Sequence, residues 1–157
     1  MPRQWKVLEL YSLETIADLV SILLPILDGL TVEEQFRKQS INRVHIRPLL
    51  IYGGTYVEYV TKGVQEWIIV LNKYNSLEEN IFTLAHELAH TFAYKKNGRI
   101  VNVWRTKCVA LEDFCDLFAT EWLQRNNNRE ELVQILNGHL QEGSFFFKSP
   151  QRTVLSA

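Results

Sequence analysis

From Ser12 onward the apolar positions Leu13, Ile16, Ala17, Val20, Leu23, Leu24 and Leu27 recur at intervals of three and four, the spacing that lines one face of an α-helix. Ser12 is placed to cap that helix and Gly29 to stop it. Thr31, followed by Glu33 and Glu34, predicts a second, short helix entering near residue 32, whose polar makeup reads as a solvent-exposed connector. Between Arg43 and Asn72 the pattern turns to β-branched and aromatic residues, with Gly53-Gly54 and Lys62-Gly63 as the turn chemistry of successive hairpins. Three strands follow, near residues 44 to 51, 55 to 61 and 65 to 71, forming a small, mostly antiparallel sheet. The last carries the unbroken apolar run Trp67-Ile68-Ile69-Val70-Leu71, so protein should cover both of its faces.

Helical spacing then returns. Ser76 with Glu79 resembles a capping box, opening a helix that carries Ile81, Leu84, Ala85 and Leu88 on its apolar side, runs to about Lys95 and is closed by Asn97-Gly98. After a loop containing Trp104 and Arg105, a helix from about Cys108 to Gln124 buries Leu111, Cys115, Phe118, Ala119 and Trp122. The polar run Asn126 to Asn128 ends it, and a last helix spans roughly residues 129 to 141. The tail holds Phe145-Phe146-Phe147, which either packs back on the body or forms a contact patch. The succession of elements predicts an α+β fold: an N-terminal helix, a three-stranded sheet, then helices.

Composition narrows the function classes. With 157 residues and 46% hydrophobic content, the chain suits one domain with a sizeable core. Its 17 basic and 18 acidic residues give a formal net charge of -1, so no whole-chain field favours direct nucleic acid binding. The apolar run Leu19 to Leu27 is too short for a membrane span, contains Pro25, and lies between Asp18 and Asp28. Glu9, Glu14 and Asp18 interrupt what a secretory signal would need, which points to the cytoplasm. The two cysteines, Cys108 and Cys115, sit about 10 Å apart if both lie on one helix, beyond disulfide reach, and read as small buried apolar residues rather than redox or metal thiols, given the better ligands nearby.

Chemistry enters with His86-Glu87-Leu88-Ala89-His90. Residues four apart on a helix stand one turn above each other on one face, so both imidazoles can reach one metal ion. Glu87 projects from the same side and can serve as general base without ligating. Chance occurrence of this pattern in a chain of this size is on the order of one in a few hundred; the alternative is an ordinary amphipathic helix carrying two histidines. A catalytic zinc site takes three protein ligands and keeps a fourth position open. His45 and His139 read as surface or satisfied residues. Glu112 and Asp116, four apart beside the stripe of Leu111, Cys115 and Ala119, would be costly to bury without a cation. Glu112 is therefore the candidate third ligand, and Asp116 the candidate partner of a ligand histidine. An exposed acidic helix edge remains the alternative on spacing alone, and Asp113 and Glu121 point elsewhere.

The stretch Phe82-Thr83-Leu84-Ala85-His86-Glu87-Leu88-Ala89-His90, followed by Glu112-x-x-Cys115-Asp116-x-Phe118-Ala119, resembles the ImmA/IrrE family of gluzincin-type metallopeptidases. The preceding Ile68-Ile69-Val70-Leu71-Asn72 looks like the strand ahead of that family's active-site helix, and the likeness covers roughly residues 66 to 123. It implies a zincin-like fold, zinc at His86, His90 and Glu112, Glu87 as catalytic base, and a regulatory protein as substrate, typically a helix-turn-helix repressor. Ala89 stands where the family often has glycine and Cys115 where it usually has alanine. Trp122-Leu123-Gln124-Arg125 follows where two leucines and a proline are common. The expected organisation is one zincin-like domain over residues 1–157, with a catalytic core at about 43–125 and a C-terminal helix and tail at 126–157. Tyr94, one turn beyond His90, is a candidate oxyanion donor. The competing reading is a non-hydrolytic zinc-containing module that binds a regulator partner, against which an intact Glu87 argues.

Overall fold

The structure is a computed structural model, which describes residues 13–49, 55–61, 64–93, 108–139 and 143–148. Helix α1 (Leu13–Leu23) continues into a 3-10 turn at Leu24–Leu27, whose first turn accepts Pro25 because the N–H that proline lacks is unpaired there anyway. Ile16, Val20, Leu24 and Leu27 line its buried face, and Gly29, at φ +82°, turns the chain in a conformation that other residues avoid. The proposed cap Ser12 lies outside the described residues.

Helix α2 (Val32–Lys38) opens on a complete capping box: Glu34 N–H donates to Thr31 Oγ1 and Thr31 N–H to Glu34 Oε1. It is not the solvent-exposed connector that its acidic start suggests. Val32 and Phe36, four apart, share one buried face. The Phe36 ring stacks on Phe147 at 4.7 Å and meets Trp122 edge-on at 6.1 Å. Gln35 is buried between them, and its amide is fully used. Trp122 Nε1 donates to Gln35 Oε1 at 2.7 Å, while Gln35 Nε2 donates to Asn128 Oδ1 and Leu30 O, both at 3.1 Å.

Among the described residues the sheet has four strands rather than the expected three, in the order β2-β3-β1-β4; two of its three pairings are antiparallel, as expected, and one is parallel. Strand β1 (Ile41–Arg47) starts earlier than expected and lies parallel to β3 (Val64–Asn72), with Val44 opposite Ile69 and Ile46 opposite Leu71. Strand β2 (Thr55–Thr61) pairs antiparallel with β3 at the sheet's edge, so β1 and β2 are not hairpin neighbours. Gly53-Gly54 and Lys62-Gly63 lie outside the described residues. The fourth strand, β4 (Gly143–Phe146), is the phenylalanine tail, antiparallel to β1. Alternation decides the fate of its rings: Phe145 and Phe147 enter the core, and Phe146 faces outward beneath the Arg43 guanidinium, 5.2 Å from its ring centre.

One face of the sheet, with Val44, Ile46, Ile69 and Leu71, carries the helices. On the other face Ile68 is buried and Val70 half-buried, while Trp67, on the core face with Ile69 and Leu71, is itself only half-buried, so cover over the apolar run of β3 is uneven. Helix α3 (Leu77–Ala93) begins with the expected box, Ser76 N–H donating to Glu79 Oε1 at 2.7 Å and Glu79 N–H to Ser76 Oγ at 3.1 Å. Helix α4 (Cys108–Leu123) packs along α3, and α5 (Asn128–Asn137) follows after a short turn. Among the described residues, no helix is long and apolar enough to cross a membrane.

Candidate metal centre

The pairing of α3 with α4 builds the site. Ala85, Leu88, Ala89 and Phe92 on α3 meet Phe114, Cys115, Phe118 and Ala119 on α4, all buried. The small residues let the helices approach, and the Phe92–Phe118 contact at 5.4 Å fixes their far end. At the near end α3 presents His86 and His90, with Nε2 atoms 3.2 Å apart. From α4, Glu112 brings Oε1 to 3.1 Å from His86 Nε2 and Oε2 to 3.6 Å from His90 Nε2.

A tetrahedral cation with bonds of about 2.0–2.1 Å imposes donor separations of about 3.3 Å. The two nitrogens already stand near that spacing and each has a Glu112 oxygen, Oε1 or Oε2, close by, so the group fits a divalent ion once the carboxylate turns one or both oxygens onto it. Asp116, one turn after Glu112, places Oδ1 2.8 Å from His86 Nδ1. When Nδ1–H donates to that carboxylate, the lone pair of the ring is on Nε2, facing His90 and Glu112. Carboxylates and imidazoles thus meet from two helices at a partly open rim, where the Glu112 and Asp116 side chains are 56% and 58% exposed.

Glu87 differs from them. It is buried, its Oε2 has no hydrogen-bond partner, and burial, reinforced by the charge of Glu112, pushes its carboxyl up to about 8. A cation nearby would offset that cost, which is a second sign that the residues suit one. Burial, with a contribution from His86, lowers the His90 imidazole to about 4, keeping it in the neutral form a metal ligand requires. Phe82, one turn before His86 and still partly exposed, lies 6.3 Å from that ring and borders the rim.

Cys115 was legible only as a small core residue, and it is indeed fully buried. Its thiol also joins the cluster: one donor atom from each of His86, His90 and Cys115 lies within 4.8 Å of the others. The signal was its place three residues after Glu112, on the same face of α4. Burial is the main cause holding this thiol above its usual range, followed by the charges of Glu112, Glu87 and Asp116. His45 and His139 are engaged elsewhere: His45 Nδ1 with Ser144 Oγ, and His139 stacked on Phe145 at 4.3 Å. Asp113 is exposed and Glu121 half-buried, and neither joins the cluster. Tyr94, the candidate oxyanion donor, lies outside the described residues.

The model of the IrrE N-terminal-like domain of M78 peptidases matches residues 37–123, more than half of the chain. The chain belongs to this family. The matched span runs from the end of α2 through β1, β2, β3 and α3 to the end of α4, so it contains His86, Glu87, His90, Glu112, Cys115 and Asp116. It leaves α1, α5 and β4 outside. Membership makes the protein a metallopeptidase, and its substrate a protein. No curated protein and no solved structure matches the chain.

Proposed function

We propose that this M78 domain is a zinc-dependent endopeptidase that cleaves a regulatory protein, such as a helix-turn-helix repressor, in the cytoplasm. His86, His90 and Glu112 would hold the ion, Glu87 would be the general base, and Asp116 would orient His86. The observation that carries this reading is the convergence of the two Nε2 atoms, 3.2 Å apart, with the Glu112 carboxylate, whose Oε1 and Oε2 lie 3.1 and 3.6 Å from them, beside a buried and unpartnered Glu87 oxygen.

Zinc, when bound, supplies Lewis acidity that polarises the scissile carbonyl and makes water a nucleophile near neutral pH. The protein's own residues carry the proton. Glu87, too buried to be stabilised by solvent, takes a proton from the attacking water and delivers it to the leaving amine. Asp116 fixes the His86 ring and its tautomer, so the ligand lone pair is oriented before substrate arrives. Glu112, Asp116 and Phe82 are exposed, and a substrate chain would approach the ion from their side.

The test pairs metal content with proteolysis. Purified wild type should contain about one equivalent of zinc and cleave a helix-turn-helix regulator encoded beside it; Glu87→Gln should keep the zinc and lose cleavage, and Glu112→Ala should lose the zinc. Equal cleavage by Glu87→Gln would reject the proposed base.

A further inference from the structure

On α4, Glu112, Cys115, Asp116 and Ala119 fall at intervals that turn all four towards α3. Glu112 and Asp116 reach the histidines along the exposed rim. Cys115 approaches from the core side, with no exposure, and its sulfur lies within 4.8 Å of the donor nitrogens of His86 and His90. In a tetrahedral site with one sulfur, nitrogen and sulfur stand about 3.6 Å apart. Cys115 therefore has to close at most about 1 Å, and Glu112 already has an oxygen near each imidazole. A cation content with nitrogen and oxygen leaves the thiol where it is; one that prefers sulfur has a reason to draw it in. The unpartnered Glu87 oxygen in the same buried space independently indicates room for positive charge there.

We infer that Cys115 is a fourth, soft donor, so that a thiophilic divalent cation such as cadmium is held by His86, His90, Glu112 and Cys115 together, with no position left for water. Coordination forms the sulfur–metal bond as the S–H proton passes to solvent, and nothing is oxidised or reduced. Because catalysis needs the open position, the same ion that binds most tightly silences the enzyme. The inference rests on the metal centre proposed above.

The experiment titrates the metal-free full chain with cadmium and cobalt and reads ultraviolet and visible absorption. Cadmium should produce a thiolate charge-transfer band in wild type that persists in Cys108→Ser and vanishes in Cys115→Ala. Cadmium affinity should fall about tenfold or more in Cys115→Ala, while the cobalt d–d bands of that variant report an intact folded centre. Absence of the thiolate band in both wild type and Cys108→Ser overturns the role of Cys115 without using any variant at that position, and retained cobalt bands then leave the centre itself standing. Failure of wild type to take up either ion overturns the centre and the inference with it.

Discussion

Replacing Asp116 with alanine removes a carboxylate that touches no substrate and holds no ion in the proposed site, only the far nitrogen of His86 at 2.8 Å. Loss of such an orienting partner costs about 10- to 100-fold in metal affinity. The Asp116 side chain is 58% exposed, so water screens the contact and can replace it in part. The lower end is therefore expected, about tenfold, or ~1.4 kcal/mol. Zinc affinity would be read by competition with a chromophoric chelator at neutral pH, and cleavage at saturating zinc. Asp116→Ala should recover most activity once zinc is saturating, and Asp116→Asn should lose less affinity because its amide oxygen still accepts from Nδ1–H. Glu112→Ala, which removes a donor, should lose more than either. An Asp116→Ala variant that binds zinc as tightly as wild type, or loses more than Glu112→Ala, would refute the orienting role.

Trp122→Ala should destabilise the fold by about 3–5 kcal/mol in a denaturant titration, because it opens a cavity beside Phe36 and leaves Gln35 Oε1 without its donor. Ser76→Ala, which leaves one donor of the α3 capping box unpaired, should cost about 1 kcal/mol by the same measurement. Zinc at a hundredfold excess over its Kd should add about 2.7 kcal/mol, or ~5–10 °C in Tm, and a chelator should remove that gain. His45 is held below its ordinary 6.5 by burial, then by Arg47 and Arg43. The unfolded chain therefore takes up this proton first, and stability from His45 is present above pH 6.5 and lost as pH falls below it. Metal-free His45→Gln should accordingly show a shallower fall in Tm from neutral to mildly acidic pH than the metal-free parent.

The elements that sequence revealed well are those whose signals are local. Ser76 and Glu79 announce the start of α3 within four residues, and His86 and His90 share a face by helical geometry alone. The acidic first turn of α2 announced a helix but hid its burial, because Val32 and Phe36 supply only two apolar side chains and Gln35 looks like a surface residue until Trp122 and Asn128 are beside it. Three consecutive phenylalanines cannot display a period of two, so β4 was not readable as a strand; its alternation exists only against β1. The parallel pairing of β1 with β3 is equally non-local, and Gly-Gly between two apolar runs naturally suggested a hairpin. The cost of burying acid near an apolar stripe singles out Glu112 and Asp116 in the sequence, but both side chains are more than half exposed, so that cost does not arise; what marks them is their reach to His86 and His90. The closeness of Cys115 to the imidazoles depends on the angle at which α4 lies on α3, which no spacing within α4 encodes.

The lateness of β4 has a consequence for synthesis. Until residues 143–146 leave the ribosome, β1 has an open hydrogen-bonding edge, and Phe36 lacks the Phe147 ring stacked on it, although every donor of the metal centre has already been translated. A nascent chain paused before that point would carry the proposed metal-binding residues on an unfinished sheet, prone to join edges with its neighbours on the polysome.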